Sequence, residues 1–118
     1  MLPRRMIAVY SASYFFGSLA AYALTNTELV KAQHMFDAAD LIGFEVAILI
    51  PALHSRLQDL AFIQACTVPL VVVRGGWLKE YPTVFRKNIT VSGEKMITIR
   101  SKLLDVLAIT KRPRRVAA

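Results

Sequence analysis

The chain is poor in the residues that build compact chemical sites: 118 residues hold one cysteine, two histidines and one tryptophan, with five glycines and five prolines as punctuation. A lone Cys66 closes no intrachain disulfide, and His34 and His54 cannot make a structural zinc set without further thiols. Gly75-Gly76 is the one adjacent glycine pair. It lacks the spacing of a dinucleotide fingerprint and the lysine with hydroxyl neighbour of a phosphate loop, so no cofactor is expected. The most telling absence is of charge, because Met6 to Thr27 contains no formally charged side chain.

That apolar run follows Arg4-Arg5 and stops at Glu28. As a helix it would be roughly 33 Å long, enough to cross a hydrocarbon core of about 30 Å, so a single uncleaved transmembrane anchor is the leading reading. A cleavable signal with Ala21-Tyr22-Ala23 as its cleavage motif and a helix buried in a folded core are the competing ones. An apolar share of 55% and a mean hydropathy of +0.44 agree with a membrane-associated chain.

Charge falls in blocks: net +2 over 1–27, −3 over 28–73 and +8 over 74–118, for a total of +7. Positive residues before the span would keep the N-terminus on the cytoplasmic or matrix side. A second crossing through Leu41 to Ser55 would return the basic third to that side, but the run is short and carries Glu45 and Pro51. One span is therefore preferred.

The segments expected are the anchor (1–27), an amphipathic helical region (28–67) and a basic region with hairpin and tail (68–118). The apolar positions Leu29, Ala32, Met35, Phe36, Ala39, Ile42 and Val46 follow a helical period, which predicts a helix from about Thr27 to Ile50. After Pro51, Leu53, Leu57, Leu60 and Ala61 predict one apolar face of the next helix, with Ser55, Arg56 and Asp59 on the other. Val71 to Val73 favour extended backbone that Gly75-Gly76 ends. Asn88 to Val91 and Met96 to Arg100 predict a β-hairpin around Ser92-Gly93-Glu94-Lys95, followed by a short end helix capped by Ser101. The fold expected is a mainly α membrane protein. Its alternative is a small α/β domain, with Glu45–Leu53, His54–Cys66 and Val68–Arg74 as a strand, helix and strand.

Candidate chemistry is sparse. His34, Asp37 and Asp40 would share a broad helix sector and could present metal donors, but a solvated helix face is the stronger reading of these polar positions. His54 and Asp59 are an acid–base pair only if the backbone is not helical between them. Cys66 reads as a small buried apolar residue, Asn88-Ile89-Thr90 as an incidental glycosylation sequon, and Glu45 as an ionisable group worth watching if it lies near lipid. No catalytic residue and no metal ligand is assigned.

Contact surfaces are better marked. Ser13, Gly17 and Ala21, spaced by four, form a small-residue ridge suited to close helix packing, with Tyr10, Tyr14 and Tyr22 on flanking faces. Arg4, Arg5, Lys111, Arg112, Arg114 and Arg115 are candidates for contact with lipid or an acidic partner. Nucleic acid is disfavoured because the tail has no interleaved stacking aromatics. The resulting expectation is a non-catalytic accessory subunit of an energy-converting membrane complex of respiratory-chain or ATP-synthase type. It would sit in the mitochondrial inner membrane, bracing neighbouring subunits and binding anionic lipid such as cardiolipin. A small membrane enzyme or proton-handling component is one alternative, and a basic α/β component of a nucleoprotein assembly is another.

Overall fold

The computed structural model describes residues 5–25, 30–35, 41–79 and 89–111. Its elements alternate along the chain: β1 (Arg5–Tyr10), α1 (Tyr14–Thr25), β2 (Val30–Met35), β3 (Val46–Leu49), α2 (Arg56–Ala65), β4 (Leu70–Val73), a 3-10 turn (Gly76–Leu78), β5 (Ile89–Ser92) and α3 (Met96–Lys111). The five strands form one parallel sheet in the order β2-β1-β3-β4-β5.

The expected mainly α membrane fold is thus replaced by a small α/β domain. The uncharged run of 6–27 is not one helix. Its first part is β1, which lies between β2 and β3 with Ile7, Ala8 and Val9 fully buried. A strand covered on both faces needs apolar side chains at every position, so it reads as an unbroken hydrophobic run rather than an alternating one. Ser11, Ala12 and Ser13 then separate it from α1, whose twelve residues give about 18 Å of helix. Two apolar elements joined by an uncharged loop imitate a span. Among the described residues no helix is long and apolar enough to cross a membrane, so the single span expected over Met6 to Thr27 is not formed.

The long helix expected from Thr27 to Ile50 is instead β2 and β3, with residues 36–40 outside the described ones. In β2, Lys31 is exposed while Ala32 packs on the core, and this alternation outweighs the helical period read through the same residues. The hairpin is also corrected. Ile89–Ser92 is a strand, but it pairs in parallel with β4, and Met96 to Arg100 opens α3. Met96, Ile99, Leu103, Val106 and Leu107 recur at helical spacing and face the core, so the helical period of the buried stripe outweighs the β-branching of Ile97, Thr98 and Ile99. The α/β alternative anticipated β3, α2 and β4 in their order, with the first strand carried four residues past its observed end at Leu49 and the helix and second strand within two residues of their limits.

Two cores result. Ile7, Val9, Val46, Ile48, Val71 and Val73 point to the face covered by α1 and α3. Ala8, Tyr10, Ala47, Leu49, Leu70 and Val72 point to the face covered by α2, where Tyr10 stacks on Phe62 with ring centroids 4.1 Å apart. Because β1 leads to β2 on one side and β3 lies on its other side, the winding direction reverses between β1 and β3. In open α/β sheets, ligands bind outside the carboxyl ends of the strands near such a reversal.

Candidate functional site

The carboxyl edge of the sheet carries a cleft of about 270 Å³. Phe16, Leu19 and Ala20 from α1 form one wall, Met96 and Ile99 from α3 another, and Ile50, Pro51 and Val73 to Gly76 close it along the ends of β3 and β4. Glu94, just before α3, adds a carboxylate to this largely apolar lining.

The glycine pair shapes the cleft. Gly76 has φ +52°, and a Cβ there would stand 2.5 Å from the Ala52 carbonyl oxygen, so both the backbone and the space favour glycine. The neighbouring Trp77 amide donates to that same oxygen at 3.1 Å. Gly75 is extended, and a Cβ added there would meet only the Glu94 side chain, at 3.8 Å. The Arg74 amide donates to the Ser92 carbonyl at 2.9 Å, and its guanidinium to the Lys79 carbonyl at 3.3 Å, which ties β4 to β5 below the cleft.

Behind the wall lies a polar knot. The Ala52 amide donates to Ser55 Oγ at 2.9 Å, the Ser55 hydroxyl donates to Asp59 Oδ2 at 2.6 Å, and Trp77 Nε1 donates to the same oxygen at 2.6 Å. Loop 50–55, α2 and the 3-10 turn are therefore fastened through one carboxyl. Asp59 is fully buried and its Oδ1 has no hydrogen-bond partner among the described residues. Burial pushes its pKa above the ordinary carboxyl range, while the hydrogen bonds from Ser55 and Trp77 pull it back part of the way.

A second polar group surrounds the start of α1. Ser11 Oγ accepts from the Ser13 amide at 3.1 Å, and Ser13 Oγ accepts from the Phe16 amide at 3.2 Å, as an N-cap does. His34 Nε2–H donates to the Ser11 carbonyl at 3.1 Å, and its ring lies 5.8 Å from that of Tyr14.

The residues singled out from the sequence are scattered by this fold. Gly17 and Ala21 of the ridge are buried, with Gly17 against the His34 ring, and Ser13 caps α1. The close approach they allow is made by the chain's own β2. Arg5 pairs with Glu45 at the opposite, amino edge of the sheet and donates through Nη1 to the Leu107 carbonyl at 3.1 Å. His54 is exposed in loop 50–55, whereas Asp59 is held by Ser55 and Trp77. Cys66 is buried, its thiol donating to the Val68 carbonyl at 3.4 Å. Arg4, Asp37, Asp40, Asn88, Arg112, Arg114 and Arg115 lie outside the described residues, and Lys111 is the last residue of α3. Among the described residues no group of three His, Cys, Asp or Glu side chains could hold a metal ion.

Sequence reasoning missed Glu94, Trp77 and the inward direction of Ser55 and Asp59. A signal existed for the last pair, since Ser55 and Asp59 are one helical turn apart just after Pro51. Comparison with protein-family models and with curated proteins gives no match to this chain.

Proposed function

We propose that the chain is a small-molecule-binding α/β domain, with its ligand seated in the cleft between α1 and α3 at the carboxyl ends of β3 and β4. The cleft itself carries this reading: a mostly apolar recess lined also by Glu94 and Arg74, at the edge where doubly wound sheets place their ligands. Its surroundings support it. Gly75 leaves the recess open, Gly76 allows the turn to lie against Ala52, and the Asp59 knot fixes the turn from behind. Of the readings drawn from the sequence, the α/β one agrees with this architecture. The proposal is one of binding, and no catalytic step is assigned.

Trp77, the one tryptophan, adjoins the glycine pair and serves as an internal reporter. Naphthalene titrated against the protein is expected to change Trp77 fluorescence saturably, and Gly75→Leu, which projects a side chain into the recess, is expected to abolish the response. An unchanged titration in a folded Gly75→Leu variant would show that the probe binds elsewhere and would remove support for the cleft.

A further inference from the structure

The outer face of α1 is not made like a solvated helix face. Tyr14, Phe15, Phe16, Leu19 and Tyr22 are 51–77% exposed, and α1 contains no charged side chain. Phe15, Ser18, Leu19 and Tyr22 fall at i, i+3, i+4 and i+7, so they form one stripe with Tyr14 and Phe16 on its shoulders. The Ser18 hydroxyl turns back to donate to the Tyr14 carbonyl at 2.7 Å and presents no unmet donor to a partner. The rings are also held in advance: Phe15 and Phe16 meet edge to face with centroids 5.2 Å apart, and Tyr14 lies 5.8 Å from the His34 ring. Covering this face therefore immobilises little that is free.

We propose that this face binds a second copy of the chain, helix against antiparallel helix, about a two-fold axis passing between Ser18 and Leu19. Area is the first argument. At about 150–250 Å² for each aromatic side chain, Tyr14, Phe15, Phe16 and Tyr22 leave roughly 500 Å² in water. Two copies would bury roughly 1,000 Å², which is where specific interfaces begin. Charge is the second argument. Copies carrying +7 repel one another in general, and a stripe without charge is where they can approach. An acidic partner finds no cation on this stripe to recognise, and a helix that lies on lipid carries Lys or Arg beside its apolar face, which α1 lacks. Pattern is the third. Reading the stripe in reverse exchanges Phe15 with Tyr22 and Ser18 with Leu19, so each aromatic meets an aromatic and each leucine meets a small serine of the other copy. The inference is independent of the cleft, because Phe15, Ser18 and Tyr22 are not among its lining residues.

Sedimentation velocity of the whole chain from about 1 to 300 μM is expected to show a dimer with a dissociation constant on the order of 10 μM, the weak end for an interface of this size. In protein diluted well below that constant the chain is monomeric, and variants of this face report on folding alone. Phe15→Lys and Tyr22→Glu each set an unpaired charge against a ring of the other copy and are expected to weaken the dimer about tenfold or more. Mixed in equal amounts the two variants are expected to pair, because the new lysine of one faces the new glutamate of the other. A native chain that stays monomeric throughout, or a dimer that both variants leave intact, overturns the proposal. Loss in both variants without recovery in the mixture overturns the antiparallel arrangement. Binding of a monomeric native chain to phosphatidylcholine vesicles that is lost in Phe15→Lys makes the face a lipid contact and overturns the dimer. Should Phe15→Lys not fold, Phe15→Ser removes the ring without adding a charge and reads the same weakening.

Discussion

Helices α1 and α2 lie on opposite faces of one sheet and depart from ordinary amphipathicity in opposite directions. α1 buries Gly17, Ala20, Ala21 and Leu24, and turns Phe15 and Tyr22, 66% and 77% exposed, toward solvent. α2 buries Asp59 with no exposed surface at all while Leu57 is 83% exposed. Burial is thus decided by what each helix must do at the sheet and not by side-chain polarity. α1 must approach β2 closely, which only small residues permit; α2 must hold a loop and a turn together, which a carboxyl accepting two hydrogen bonds does.

The contrast breaks most severely at Gly17. A Cβ at this position would stand 2.2 Å from His34 Nε2, so any side chain must displace the imidazole from the Ser11 carbonyl or lift α1 from the sheet. Gly17→Leu is expected to destabilise the fold by about 3 kcal/mol, at the upper end of overpacking costs. In a denaturation cycle, His34→Ala is expected to recover part of that loss in the double variant, because the clash is between these two groups. Additive losses would mean that α1 is held at its distance by something other than the ring.

On the α2 side the corresponding change is Asp59→Ala. It takes from the buried Ser55 hydroxyl and the half-buried Trp77 indole N–H the carboxyl oxygen they share, at a cost of about 2 kcal/mol. Asp59→Asn separates the hydrogen bonds from the charge, since one amide oxygen can replace Oδ2 for both donors and the NH₂ takes the place of the unpartnered Oδ1. The pH dependence follows from the raised pKa of Asp59. The folded state keeps a proton that the unfolded chain releases, so this group favours folding most below its unfolded pKa. That contribution is lost as pH rises to the folded pKa and is level above it. Urea unfolding across the acid range should show this decline in the native chain and its absence in Asp59→Asn; parallel profiles would assign the acid dependence to other carboxyls.

These two helices also explain which parts of the fold were legible. β4 and the glycine stop after it were readable because Val71 to Val73 combine β-branching with a short run bounded by turn residues. β1 and α1 were not separable by hydropathy: a doubly covered strand and a helix with an apolar outer surface contain no polar register between them, and only Ser11 and Ser13 mark the joint. In α2 the helix was legible and its orientation was not. Leu53 and Leu57 suggested the inner face, whereas Phe62 and Ile63 occupy it beside Asp59. No local pattern announces that a carboxylate will find an indole eighteen residues later in the chain. The cleft shares this difficulty, since Phe16, Gly75 and Glu94 meet only through the sheet order.

A gentler change tests the α2 knot from its other end. Trp77→Phe keeps an aromatic ring at the turn and removes the Nε1–H that reaches Asp59, so the loss should be about 1 kcal/mol, below that of Asp59→Ala. Combined with Asp59→Ala the effects should fall short of additive, because both variants remove the same hydrogen bond. Full additivity in urea titrations would show that Trp77 supports the turn by packing alone.

The smallest effect is expected on the outer face of α1. Tyr22 lies opposite the buried stripe of Gly17, Ala20, Ala21 and Leu24, and most of its surface is already in water. Tyr22→Lys should therefore change folding stability by no more than about 0.5 kcal/mol, the usual range for exposed positions. Lysine is also a better helix former than tyrosine, which offsets part of any lost contact. The contrast with Gly17, five residues earlier on the same helix, is the sharpest available test of α1's orientation, because that spacing sets the two positions about 140° apart around the helix axis. Thermal unfolding would decide it: a loss in Tyr22→Lys comparable to that in Gly17→Leu would place Tyr22 inside the fold and reverse the assignment of the helix's inner and outer faces.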